Sequence, residues 1–171
     1  ALDKIVPKEA NPRFVDFGKD VVFEDIREKM HFYHVKNPVN TIFSMSLQFG
    51  LGTIENPALS QVAQYVALIG IKDKSFDQFK EALQKIGSKI EVFANSNYFG
   101  YSISGIDMYY DETLELLNEY MTQMHVREGD RQKISKLVES SKITRDREVK
   151  DPSTTGRALR DYVLWGKKSP F

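Results

Sequence analysis

The chain has 171 residues, enough for one substantial core that buries roughly 70% of the surface its unfolded form would expose. Hydrophobic residues make up 41% and charged residues 28%, with Lys plus Arg and Asp plus Glu balanced at 24 each. Such a composition belongs to an ordinary globular chain without the net field that recruits nucleic acid or an anionic membrane. The absence of cysteine excludes disulfides, thiolate metal sites and cysteine nucleophiles, and no apolar run is long enough to span a bilayer.

Residues 1–20, ALDKIVPKEANPRFVDFGKD, hold two prolines and mixed charge and are expected to be a leader or linker entering a domain over 21–171. The start at Ala1, with no signal peptide, is expected to mark a processing or cloning boundary. Two short β-leaning runs in VVFEDIREKMHFYHVKN are expected to pair as a hairpin near Glu28 and Lys29. TIFSMSLQFG alternates, with Phe43, Met45, Leu47 and Phe49 facing one way and Ser44, Ser46 and Gln48 the other, which predicts a strand with one buried face ended by Gly50 and Gly52.

NPALSQVAQYVALIG, residues 56–70, predicts a helix with an apolar stripe of Leu59, Val62, Ala63, Val66 and Ile69. Its other ridge carries Gln61, Gln64 and Tyr65 at positions i, i+3 and i+4, the spacing of a metal-binding helix without an ordinary zinc ligand on it. A second helix is expected over about Ser75 to Ile86. Ser75 and Gln78 form a capping box, Phe76, Phe79, Leu83 and Ile86 line the buried side, and Gly87 suits a left-handed end. KIEVFAN and YFGYSISGI then read as two strands joined tightly through Asn95 to Asn97.

A third helix, from about Glu112 to Met124, is expected to bury Leu114, Leu117, Met121 and Met124. A long charge-rich helix from about Gly129 to Glu148 is expected to turn Ile134, Leu137, Val138 and Ser141 inward and its charges to water. Asp151-Pro152 breaks it, and TTGRALRDYVLWG supplies one more short helix. This order predicts an α+β fold, a mostly antiparallel sheet covered by helices on one face. The chain stops at KKSPF without the closing strand pair such a sheet is expected to need.

Several phrases together resemble one family. FGLGT, ALSQVAQYVALIG, KDKSFDQFKEALQKIGSKIEVFANSNYFGYSISGI, DETLELLNEYMTQ and DPSTTGRALRDYVLWGKKSPF are similar to a module of the M16 (pitrilysin/insulinase-like) zinc peptidases, over about Asp20 to Phe171. The resemblance implies a LuxS/MPP-like fold, truncated at its C-terminal end. It also implies that an active module carries H-x-x-E-H on the helix after the glycine-ended strand, two His for zinc and a Glu to activate water, with a further Glu on the long helix. Aligned on LSQVAQYVALIGIKDKS, this chain has Gln61, Gln64 and Tyr65 at the His, Glu and His positions. Gln binds zinc poorly and cannot act as a general base, and a phenol with a pKa near about 10 does not replace imidazole. The remaining ligand would fall near Ser140 to Lys142, where Glu139 is close but alone could not hold a metal.

The resemblance therefore implies a degenerate, non-catalytic module from the second half of a longer bacterial peptidase. It would help form a peptide-binding chamber with an active module, in the same polypeptide or a partner chain, that supplies the zinc. The alternative is a structural or assembly module with no part in proteolysis; an active peptidase would need ligands this chain does not show. Because active modules of this family bind peptides by strand addition, the segment Ala94, Asn95, Ser96, Asn97 and Tyr98 is the expected peptide contact. The Gln61/Gln64/Tyr65 ridge is either a plain helix face or part of such a chamber wall. Phe93, Tyr98, Phe99 and Tyr101 are read as sheet packing ahead of substrate contact. Arg157, Arg160 and Tyr162 sit in a helix and do not correspond to the substrate-binding Arg and Tyr of the family's degenerate half. His31 and His34 fall on opposite faces of a strand, against a metal pair. Bacterial relatives of this type are often exported, so a periplasmic location is the expectation.

Overall fold

Alternation and end signals place the elements. The computed structural model describes Pro12 and residues 14–169, which fall into two compact units, one up to Asn40 and one from Thr41. The leader or linker expected over 1–20 lies mostly outside the described residues. In the first unit, β1 (Val22–Arg27) and β2 (Met30–His34) form the expected antiparallel hairpin around Glu28 and Lys29. Lys29 takes the left-handed conformation that tightens the turn, with φ 64°. Phe23 stands opposite Tyr33, ring centroids 4.9 Å apart, and Asp25 opposite His31, whose Nδ1 lies 2.5 Å from the carboxylate.

In the second unit β3 (Ile42–Phe49), β4 (Lys89–Ala94) and β5 (Phe99–Ile106) form an antiparallel sheet in the order β3-β5-β4. Phe43, Met45 and Leu47 turn to the core as their alternation predicts, whereas Phe49, at the end of the strand, remains exposed. The sheet's core face meets α2 (Phe76–Lys85) and α3 (Tyr110–Thr122) in one cluster of Ile71, Phe79, Leu83, Tyr101, Ile103, Leu117 and Tyr120. Phe79 and Tyr120 stack with centroids 4.9 Å apart. Serines fill the opposite face, Ser44 across from Ser104 and Ser46 across from Ser102, as one expects of an antiparallel sheet with one wet side.

The ends of α2 follow the sequence: Ser75 and Gln78 exchange both bonds of the capping box, and Gly87 is left-handed with φ 63°. The other helices depart from expectation. α1 spans only Leu59–Val66, so Ile69 is buried beyond the helix and Val62 is exposed. In α3 the buried positions are Thr113, Leu117 and Tyr120; the expected Leu114 and Met124 are half-buried against the core, and of the four expected residues Met121 is the exposed one, Tyr120 taking the core beside it. α4 (Asp130–Lys150) buries only Asp130. Ile134 and Val138 stay exposed and Leu137 and Ser141 half-buried, because α4 packs against α1 and α5 (Pro152–Trp165) instead of lying along the sheet. Asp151 caps α5 by accepting from the Ser153 and Thr154 amides, with Pro152 in the first turn.

Candidate functional site

α1 begins in a loop fastened to the β4–β5 turn. The amides of Thr53 and Ile54 donate to the carbonyls of Asn95 (2.9 Å) and Ser96 (3.2 Å). Gly52 permits this approach, since a Cβ there would stand 2.1 Å from the Ser96 oxygen. The Gly52 amide in turn donates to Glu55 Oε2 at 2.8 Å. The Asn95 side chain organises the turn itself, its Oδ1 accepting from the amides of Asn97 (3.0 Å) and Tyr98 (2.8 Å).

The far end of α1 is held by groups from α3 and α4. Tyr120 donates to the Val66 carbonyl at 2.6 Å and Lys133 Nζ to that of Leu68 at 2.6 Å. Arg127 Nη2 donates to Ile71 and Lys72 carbonyls at 2.8 and 3.1 Å. The Tyr120 hydroxyl thus meets the last carbonyl of the helix, while Lys133 and Arg127 hold carbonyls of the segment that follows it. Asp130 ties them together, its carboxylate 2.7 Å from Lys133 Nζ and accepting from the Arg127 amide at 2.8 Å. The bond from Lys133, then the Arg127 amide, hold the Asp130 carboxyl below the usual carboxylate range.

On this anchored helix Gln61 and Gln64 are exposed and Tyr65 is half-buried. The Tyr65 hydroxyl reaches into the protein, fully covered, and finds no hydrogen-bond partner among the described residues. Gln61 faces α4 across a groove of about 350 Å³ that it lines with Val138, Ser141, Lys142, Arg145 and Asp146. The fold therefore brings the first position of the i, i+3, i+4 ridge beside the Ser140–Lys142 region, two segments that only an alignment connected in the sequence. Glu139 does not line this groove.

These residues do not fit a zinc ion. Gln61 offers a neutral amide and Ser141 a hydroxyl, Asp146 is the single carboxylate, and Lys142 and Arg145 add two cations that outweigh it and repel a divalent metal. No set of three His, Asp or Glu side chains able to hold a metal occurs among the described residues. Arg145 and Asp146 escaped the sequence reading, which treated them as the solvated side of a long helix, and Lys142 entered it only as the end of the Ser140–Lys142 region; their recurrence at helical spacing with Val138 was the available signal.

The segment expected to contact peptide lies at the end of β4, an outer strand of the sheet against which α1 packs. Ala94 is half-buried, and Asn95, Ser96, Asn97 and Tyr98 are exposed. The Asn95 and Ser96 carbonyls are engaged by the Thr53 and Ile54 amides, so main-chain pairing with a peptide at these two oxygens would compete with the tether. The four aromatics separate: Tyr101 is buried and Phe99 packs on the core, Phe93 lies on the opposite face across from Gly100, and Tyr98 is exposed. His31 and His34 belong to the hairpin, facing Asp25 and Glu24. Arg157, Arg160 and Tyr162 lie on α5.

No family model and no curated protein matches this sequence. Solved structures are similar to it. The peptidase M16 inactive domain from Pseudomonas fluorescens superposes with a TM-score of 0.71 at 15% identity, over 88% of this chain and 37% of that one. A protease from Helicobacter pylori does so with a TM-score of 0.58 at 13% identity, over 71% of this chain and 30% of that one. This chain spans about a third of the length of these proteins.

Proposed function

Starting from the fold, which is that of an M16 peptidase inactive domain, we propose that this chain is a non-catalytic module lining the peptide-holding chamber of an M16-type zinc peptidase. A separate active module, in the same polypeptide or in a partner chain, supplies the zinc and the base. The observation that carries this reading is the groove between α1 and α4. The first position of the ridge with metal-site spacing meets α4 there, and the groove carries an amide, a hydroxyl, two cations and the single carboxylate of Asp146 where a zinc sphere would need two imidazoles and a carboxylate. Half of a closed chamber contributes by orienting an extended peptide and excluding water, which requires surface and rigidity and no metal. The tethered loop before α1 and the anchors after it provide that rigidity.

Two measurements test the proposal. Metal analysis of the purified chain is expected to find no stoichiometric zinc, and one tightly bound zinc per chain would overturn the non-catalytic reading. Adding the chain to an active M16 module that lacks its second half is expected to raise kcat/KM for peptide hydrolysis. A complex that forms without any gain in hydrolysis would instead favour a purely structural role in assembly.

No helix among the described residues is long and apolar enough to cross a membrane.

A further inference from the structure

We propose that the groove between α1 and α4 binds a carboxylate, and that in a held peptide this is the C-terminal carboxylate; the second clause rests on the peptide-holding reading above. The first rests on the groove alone. Gln61 reaches it from α1, and Val138, Ser141, Lys142, Arg145 and Asp146 from successive turns of α4. Its donors are one amide, one hydroxyl, one ammonium and one guanidinium, against the single carboxylate of Asp146. The lining therefore carries an excess of one positive charge.

The two cations differ in how they are held. Arg145 Nη1 is braced by Glu148 Oε2 at 3.2 Å, which steadies the guanidinium while its remaining N–H groups stay available. Lys142 forms no ion pair with a described residue, so its charge is not already spent on a neighbour. A carboxylate bridging the two would gain charge-assisted hydrogen bonds from both, with Gln61 and Ser141 as neutral donors beside them. The groove is open to solvent, and its volume of about 350 Å³ lies at the small end of ligand sites. Val138 supplies an apolar wall for a bound residue's side chain. A terminal residue suits this lining, because its carboxylate meets the two cations while its own side chain lies on Val138 and no following residue has to be placed.

The test uses the 171-residue chain and three dye-labelled hexapeptides followed by fluorescence anisotropy. One has a free C-terminal carboxylate, one is the same sequence amidated, and one is amidated with an internal Glu. The free acid is expected to bind about tenfold more tightly than its amide, the scale of one charge-assisted hydrogen bond. Lys142→Gln and Arg145→Gln, with circular dichroism unchanged, are expected to erase that preference. Equal binding of acid and amide, or a preference that survives both substitutions, overturns the site. Tight binding of the internal-Glu peptide overturns the terminal assignment and leaves the carboxylate one.

Titration with N-acetylleucine, read from backbone amide resonances of α4, tests the groove without a peptide. Shifts confined to residues around Ser141 to Asp146 are expected, and their absence overturns the site even if peptides bind elsewhere. Shifts with N-acetylleucine but no binding of any hexapeptide would instead reject the peptide-holding reading.

Discussion

Tyr65 and Tyr120 approach the end of α1 with opposite outcomes. Tyr120 spends its hydroxyl on the Val66 carbonyl, whereas the buried Tyr65 hydroxyl has no partner among the described residues. Tyr120→Phe is expected to cost about 1–2 kcal/mol, and Tyr65→Phe to stabilise by about 1 kcal/mol, since it removes only an unsatisfied polar atom. Urea denaturation of the two variants checks both signs; a loss at Tyr65 equal to that at Tyr120 would refute the difference. Burial raises the Tyr120 hydroxyl above the usual tyrosine range, with Tyr101 adding to the effect, and burial raises Tyr101 as well. The folded chain thus keeps protons that the unfolded chain releases. Stability from this source is complete below a pH of about 10 and declines as pH rises beyond it. Asp130 works in the other direction: its folded carboxyl is lowered, so its contribution is present above a pH of about 4 and is lost as pH falls through and below that value. Melting curves against pH should show the alkaline loss diminished in Tyr120→Phe and the acid loss diminished in Asp130→Asn. None of these partnerships was legible in the sequence. Val66 and Tyr120 are separated by 54 positions and Leu68 and Lys133 by 65, and no local spacing encodes such pairs.

Among the elements, legibility followed the range of the forces. α2 was readable from Ser75 to Gly87 because its cap, its apolar stripe and its left-handed end are all local. Phe79, 4% exposed and stacked on Tyr120, is the position on which that reading depends; Phe79→Ala should destabilise by about 3–5 kcal/mol in chemical denaturation. β3 and the β1–β2 hairpin were readable for the same reason, an alternation of period two and a two-residue turn. α4 was not. Its apolar spacing suggested an inward stripe, yet the helix meets α1 and α5, and Ile134 and Val138 stay exposed. The loop before α1 was equally hidden: Gly50 and Gly52 both read as strand terminators, but only Gly52 lies against another backbone. Gly52→Ala is expected to detach the Thr53 and Ile54 amides from the turn. Hydrogen exchange would then speed up at those two amides, and unchanged protection would show that the tether tolerates a methyl group.

At the scale of the molecule, the two units should differ in how firmly their backbones are held. β5 has strand neighbours on both sides and carries Ile103, which is 0% exposed, while among the described residues β1 and β2 pair in a sheet of two strands. A two-stranded sheet is marginal in water, so amides of β1 and β2 are expected to exchange well before those of β5; equal protection in exchange mass spectrometry would contradict this. The fold was foreseen as helices on one face of an antiparallel sheet. The groove was foreseen only as a place in an alignment, because its chemistry depends on α4 side chains that a solvated face would equally carry. The tethered β4–β5 turn has one more consequence. Tyr98 is exposed there, an inviting position for a protease that cuts after aromatic residues. Cleavage requires several residues to straighten into a cleft, and this turn is held shut by the Asn95 side chain, by the Asn95 amide on the Tyr98 carbonyl and by the Thr53 and Ile54 amides. The turn thereby presents the exposed Tyr98 bond in a shape that does not qualify as a protease substrate.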